Sequence, residues 1–121
     1  MKPIVLKRIP DAEMFLRFCD VQTFRSRATI FRQGQTSDCL YLVLDGSVSV
    51  VVDDKNDPEQ EMVVSYLNPG DFFGEMGLFG EEKRTANLVA RTECELARIS
   101  YERFHQVRNK FPDVLYALTI K

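Results

Sequence analysis

The sequence predicts a single mainly-β domain, a small barrel or sandwich of the jelly-roll kind, with α-helices at both ends. Three observations carry this. From about Gln22 to Ser100, short runs of β-branched and aromatic residues recur at near-regular spacing between Gly, Pro, Asn and Asp turn signals. Apolar residues with helical period flank that region, at Met14, Phe15 and Phe18 and again at Tyr101, Phe104 and Val107. The 121 residues, 45% hydrophobic and 28% charged, suit one ordinary globular domain.

Residues 1–9 are mixed and basic and read as an extended lead-in. Pro10-Asp11-Ala12-Glu13 reads as the start of a helix over 10–20, with Pro in the first turn and acids near the positive end of the dipole. Thr29-Ile30-Phe31 is a short strand ended by Arg32-Gln33-Gly34-Gln35. Leu40 to Leu44 and Ser47 to Val52 flank Asp45-Gly46, which predicts a type I′ hairpin turn. In the second run Val48, Val50 and Val52 share one face and Ser47 and Ser49 the other, as in a half-buried antiparallel strand. A charged loop over 53–60 leads to a strand over 61–67, stopped by Asn68-Pro69-Gly70-Asp71. Residues 86–91 and 94–99 read as a last hairpin around Thr92-Glu93, with a bend or bulge where the alternation slips at Leu96-Ala97. Ser100 caps a helix, and Pro112 begins another with Val114, Leu115 and Leu118 inward. That helix meets no stop signal before Lys121, so it is expected to run on.

Composition excludes several classes. The net charge is −2, with 16 Lys+Arg against 18 Asp+Glu, so these residues carry no polybasic nucleic-acid footprint. No apolar run approaches the roughly 20 residues of a membrane span, and the N-terminus lacks the apolar core of a signal peptide. Cys19, Cys39 and Cys94 are odd in number and far apart, and His105 is the only histidine, so no metal-ligand spacing occurs. Three unpaired thiols fit a cytoplasmic protein, and all three read as small buried hydrophobes. No nucleophile–base spacing points to an enzyme, and His105 beside Phe104 reads as a helix-face residue.

The segment 71–86 breaks the strand pattern. Four of the six glycines, Gly70, Gly74, Gly77 and Gly80, fall between positions 70 and 80. Phe72-Phe73 runs into Gly74, Glu75 to Phe79 suits a single helical turn, and Gly80 would end it. Free backbone N–H groups at such a turn bind anions, and a residue without Cβ lets a ligand approach the backbone. Nine residues beyond Glu75 comes Arg84, then Thr85. An Arg grips two phosphate oxygens, and a Thr hydroxyl completes the cradle. A carboxylate at Glu75 repels phosphate but accepts from a sugar hydroxyl, so the pair suits a ribose phosphate. The same residues also suit a glycine-rich turn with Arg84 solvated at the surface. On the residues alone, Val50 and Val64 are core positions and Ser65 a water-facing strand serine.

At these residues the chain resembles the cyclic nucleotide-binding domain family, and within it the N-terminal sensor domains of bacterial cAMP receptor (catabolite activator) and virulence-type transcription regulators. The similarity runs from about Ala12 to Lys121. It is dense in Tyr41 to Val52, in Ser65 to Phe72, in Gly74-Glu75-Met76-Gly77-Leu78-Phe79, in Arg84-Thr85-Ala86 and in Cys94 to Tyr101. It implies an antiparallel β-roll, a jelly-roll-like double-stranded β-helix, occupying 22–100 of a single domain spanning 1–121, with helices over 101–121. It implies that the cassette 71–86 holds a cyclic nucleotide, cAMP first among them, with no other cofactor. Glu75 matches the acceptor for the ribose 2′-hydroxyl and Arg84 the partner of the cyclic phosphate. Gly74 and Met76 match backbone positions near ribose and phosphate. Thr85 stands where close relatives often have Ser, and Ala86 matches the small residue after it. Val50, Val64 and Ser65 match positions lining the base and sugar.

The chain departs from the family in three places. The cassette is one residue shorter between Glu75 and Arg84 than in the best-known activator, and the 53–60 loop is slightly longer. The family's long dimerisation helix and helix-turn-helix domain, with the base-selecting residues, have no counterpart in these residues. The resemblance implies a homodimer in the full-length regulator, with DNA and RNA polymerase engaged only through that further part, and no membrane partner. Alternatives within the fold are cGMP, a cyclic dinucleotide, or a different effector domain.

Overall fold

The computed structural model describes residues 1–57, 59–79 and 83–119. Among them eight strands form two four-stranded antiparallel sheets: β1 Asp20–Phe24, β2 Thr29–Phe31, β3 Cys39–Asp45, β4 Val48–Asp53, β5 Glu61–Leu67, β6 Phe72–Phe73, β7 Asn87–Ala90 and β8 Cys94–Ser100. The first sheet has the order β1-β8-β3-β6 and the second β2-β7-β4-β5. Pairing is nested. β4 meets β5, β3 meets β6, β2 meets β7 and β1 meets β8, so the strands form one long hairpin rolled up on itself. This is the expected mainly-β roll, open between its two sheets rather than closed as a barrel.

The nesting corrects both tight hairpins expected from the sequence. β3 and β4 belong to different sheets, so Asp45-Gly46 is a corner between sheets. A type I′ turn needs positive φ at both central residues, but only Gly46 has it, at +82°. A Cβ on Gly46 would lie 2.4 Å from the Glu93 carbonyl oxygen. Thr92-Glu93 is the matching corner from β7 to β8. Ser47 ties the two corners together: its carbonyl accepts from Arg91 N–H at 3.0 Å, and its N–H donates to Thr92 Oγ1 at 3.0 Å.

The first sheet is covered on both faces, which explains its apolar runs. Cys39, Tyr41 and Val43 point into the roll with Phe31, Val48, Val50, Leu88 and Leu96. Leu40, Leu42 and Leu44 point the other way, toward the helices. Leu96 and Ala97 likewise serve opposite cores, so β8 runs straight through the expected bulge. The register shift lies on the partner strand instead, between Val43 and Asp45 of β3. The second sheet is more open. Its edge strand β5 is exposed along most of its length, whereas Ser47 and Ser49 are buried, Ser49 between Tyr66 and Val89 on the neighbouring strands.

The helices are α1 Pro3–Arg8, α2 Ala12–Phe15, α3 Tyr101–Val107 and α4 Pro112–Thr119. The lead-in is therefore a helix, not an extended segment. Pro3 starts it, Lys7 and Arg8 sit at its negative end, and Val5 and Ile9 are fully buried. The helix expected over 10–20 ends at Phe15 and becomes a 3-10 turn, Leu16–Phe18, before β1 begins at Asp20. Ser100 caps α3 as expected, its Oγ accepting from Arg103 N–H at 3.1 Å. Phe15 is the hub of this layer, with ring centroids 6.5 Å from Phe72, 6.3 Å from Phe104 and 5.3 Å from Phe111. The thiols are free. Cys39 and Cys94 are buried, and Cys19 is half-buried, its thiol pushed up to about 12 chiefly by desolvation.

Asp11 joins the two ends of the chain. Its Oδ2 accepts from the Asp113 N–H at 3.0 Å and so caps α4. Burial is the larger influence and raises the carboxyl above its usual range, against the backbone hydrogen bonds that lower it. A raised acid pKa in the folded state favours folding when protonated, and that contribution is lost as pH rises through the folded value. Asp11→Asn keeps an acceptor without the charge. We expect it to melt slightly above the parent at pH 7, with the gap closing below about pH 4, where a free carboxyl is also protonated. Thermal melts across pH check this, and a gap independent of pH would refute it.

Candidate functional site

The β6 strand delivers the chain to Gly74, and the 3-10 turn Glu75–Phe79 follows. Gly80, expected to end that turn, lies outside the described residues. The returning segment is fixed by backbone pairing to the 34–36 loop. Lys83 bridges Thr36, the Arg84 N–H donates to the Gln35 carbonyl at 2.7 Å, and the Gly34 N–H donates to the Arg84 carbonyl at 2.8 Å. That pairing turns the Arg84 side chain inward.

Arg84 is 5% exposed, so it is not a solvated surface residue. Its Nη2 donates to the Cys39 carbonyl at 2.9 Å and approaches Cys39 Sγ at 3.2 Å. Its guanidinium carbon lies 4.2 Å from the Phe31 ring centroid and 5.9 Å from that of Tyr41, so two ring faces support the cation. Nη1 is buried and has no hydrogen-bond partner among the described residues. A buried guanidinium nitrogen in that state favours a charged acceptor strongly.

Gly74 closes the other side. Its φ is +95°, and a Cβ there would lie 2.6 Å from Arg84 Nη1 and 2.8 Å from the Cys39 carbonyl oxygen. The Gly74 carbonyl accepts from the Tyr101 hydroxyl. A pocket of about 120 Å³ opens between these groups. Of the expected site residues, Gly74, Glu75, Met76, Arg84 and Thr85 all line it. Ser37, Phe73, Gly77 and Lys83 complete the lining; Phe73, Gly77 and Lys83 fall inside the expected 71–86 cassette, and Ser37 lies outside it. Ala86 and Val50 are packed in the core between the sheets. Ser65 pairs with Val50 across β4 and β5, and Val64 stands at the register shift beside it, 55% exposed. These four residues do not line the pocket. Whole-ligand sites run from roughly 300 to 1,000 Å³, so this pocket matches one end of a ligand. Its lining joins a buried cation at Arg84, the glycine backbone at Gly74 and the acidic residue Glu75.

Glu75 and Met76 also border a larger groove of about 530 Å³ between the cassette and the helices, where Leu78, Phe104, Leu115 and Leu118 make the wall mainly apolar. Among the described residues no group of His, Cys, Asp and Glu could hold a metal ion, and no helix is long and apolar enough to cross a membrane.

The family model for the cyclic nucleotide-binding domain matches residues 21–111, which takes in all of the strands but the first residue of β1, and the whole cassette. The chain belongs to the cyclic nucleotide-binding domain family. This cyclic nucleotide-binding domain is 42% identical over 111 residues to the cAMP-activated global transcriptional regulator CRP of Salmonella typhimurium, covering 91% of the chain and 52% of the relative. It is 35% identical over 115 residues to the cAMP-activated global transcriptional regulator Vfr of Pseudomonas aeruginosa, covering 92% and 53%. Among solved structures it superposes on the c-di-GMP responsive global regulator CLP of Xanthomonas campestris with a TM-score of 0.82 and 38% identity, over 92% of the chain and 56% of that structure. The chain thus spans about half the length of the curated relatives it matches.

Proposed function

We propose that this domain senses a cyclic mononucleotide, cAMP first, as the ligand-binding part of a transcription regulator. The observation that carries the reading is the buried Arg84 guanidinium, with Nη1 open to an acceptor against the Gly74 backbone and the Glu75 carboxylate in the same pocket. A phosphate oxygen answers the guanidinium, and a ribose hydroxyl answers the carboxylate. Thr85 adds a hydroxyl at the rim, Met76 matches a family backbone position near ribose and phosphate, Ala86 matches the small residue after Thr85, and Val50, Val64 and Ser65 match the family positions around base and sugar. The domain binds its ligand and does not turn it over. In the longer regulator, nucleotide binding shifts a pre-existing equilibrium toward a DNA-binding homodimer that engages RNA polymerase in the cytoplasm.

Thermal shifts with cAMP, cGMP and cyclic di-GMP side by side test the ligand class. A ligand at a hundredfold excess over its Kd stabilises the fold by about 2.7 kcal/mol. We expect cAMP to give the largest shift, and a larger shift with cyclic di-GMP would favour the chemistry named for the Xanthomonas relative. Glu75→Ala should weaken cAMP by about tenfold and a 2′-deoxy analogue far less, since that analogue lacks the hydroxyl the carboxylate accepts from. Equal losses by calorimetry would refute the ribose role.

A further inference from the structure

Tyr101 is the first residue of α3, yet its hydroxyl reaches the cassette. The hydroxyl donates to the Gly74 carbonyl, so the Ser37 hydroxyl, 2.6 Å away, is the donor to Tyr101. The same Gly74 carbonyl closes the first bond of the 3-10 turn, from Gly77 N–H, but at 3.4 Å. Tyr101 and the turn therefore share that carbonyl, and the turn's own bond to it is long. The ring tip fits only because residue 77 is glycine: a Cβ there would lie 2.1 Å from the hydroxyl and 2.5 Å from ring carbons. The Tyr101 N–H donates to the Asp38 carbonyl at 3.0 Å, so its backbone is anchored beside Ser37. Three residues on, Phe104 is buried in the helical core with Phe15 and Val114. One side chain thus joins the mouth of the pocket to the start of α3.

We propose that Tyr101 is the positioning residue through which a nucleotide in the cassette acts on α3 and α4. A ligand pressing on the backbone at Gly74 and Glu75 moves the carbonyl that Tyr101 holds, and α3 moves with it. The proposal rests on the nucleotide-binding reading above.

The test is amide hydrogen exchange on the 121-residue chain and on Tyr101→Phe, with and without saturating cAMP, alongside calorimetry. In the parent, cAMP should slow exchange in the cassette over 72–79 and alter it over 101–119. In Tyr101→Phe, affinity should fall about two- to tenfold, cassette protection should persist at saturation, and the response over 101–119 should be lost. Gly77→Ala, which displaces the ring without removing the hydroxyl, should reproduce that loss. A full response over 101–119 in Tyr101→Phe at saturation would overturn the coupling, as would a parent that binds cAMP without any response there. If the parent binds no nucleotide, the ligand reading fails by itself. The latch is then judged without ligand: Tyr101→Phe should speed exchange at Gly77 and its neighbours several-fold, and unchanged rates would overturn it.

Discussion

Arg84→Ala is expected to weaken cAMP binding about ten- to a hundredfold. A charge-assisted hydrogen bond is worth roughly 1.5–3 kcal/mol, and 1.36 kcal/mol is one decade. The expectation applies to Arg84 because its nitrogens are already sorted. Nη2 is engaged at Cys39, the plane rests on Phe31, and Nη1 is the one left facing Gly74. Arg84→Lys should fare little better. A single ammonium cannot hold the Cys39 carbonyl, stack on Phe31 and present a second donor together. Arg84→Met isolates the charge at similar bulk. It removes a buried cation, so the ligand-free domain should unfold at an equal or higher urea concentration while nucleotide affinity collapses. Calorimetry and urea titration measure the two sides. Undiminished cAMP affinity in Arg84→Ala would take Arg84 out of the site.

Phe15→Ala is expected to cost about 3–5 kcal/mol of stability, a large share of the roughly 5–15 kcal/mol of a whole domain. The ring is 1% exposed and meets Phe72, Phe104 and Phe111 edge-on. These partners come from β6, α3 and the segment leading into α4, so the cavity would open where four parts of the chain converge. Urea unfolding measures the loss, and Phe15→Leu should lose less because more of the volume stays filled. Phe72 lies two residues before Gly74, so the folded fraction of Phe15→Ala should also bind nucleotide more weakly. A cost below 1 kcal/mol would show that the layer repacks and that Phe15 is no hub.

Much of the cassette was legible because its chemistry is local. Gly74, Glu75, Arg84 and Thr85 sit in a short stretch, and the structure brings all four to one pocket. The strands are legible from short β-branched and aromatic runs between turn signals, and the helix starts from Ser100 and Pro112. What was not legible was partnership. Turn chemistry at Asp45-Gly46 calls for a positive φ but does not say which sheet the next strand joins. A slip in alternation at Leu96-Ala97 looks like a bulge when one face is assumed wet, yet here both faces are covered. The sequence leaves α1 unmarked because Val5 and Ile9 are too few to set a period, and their burial comes from packing into the helical core. From sequence Tyr101 is one more apolar helix residue, since nothing in its neighbourhood along the chain points to a carbonyl 27 residues earlier.

The nested pairing has a kinetic consequence. Only β4 and β5 are neighbours in sequence; the outermost pair joins Asp20 to Arg98, and every pair between waits on a longer loop. Long-range pairing of this kind slows folding, because the entropy of loop closure is spent before the contacts repay it. The order of assembly follows from the same geometry: β4 with β5 first, then β3 with β6, then the returning segment against the 34–36 loop. Arg84 reaches its place only at that third stage, so the ligand pocket is among the last features of the domain to form, and nucleotide added during refolding should act on the late phase and leave the early one unchanged.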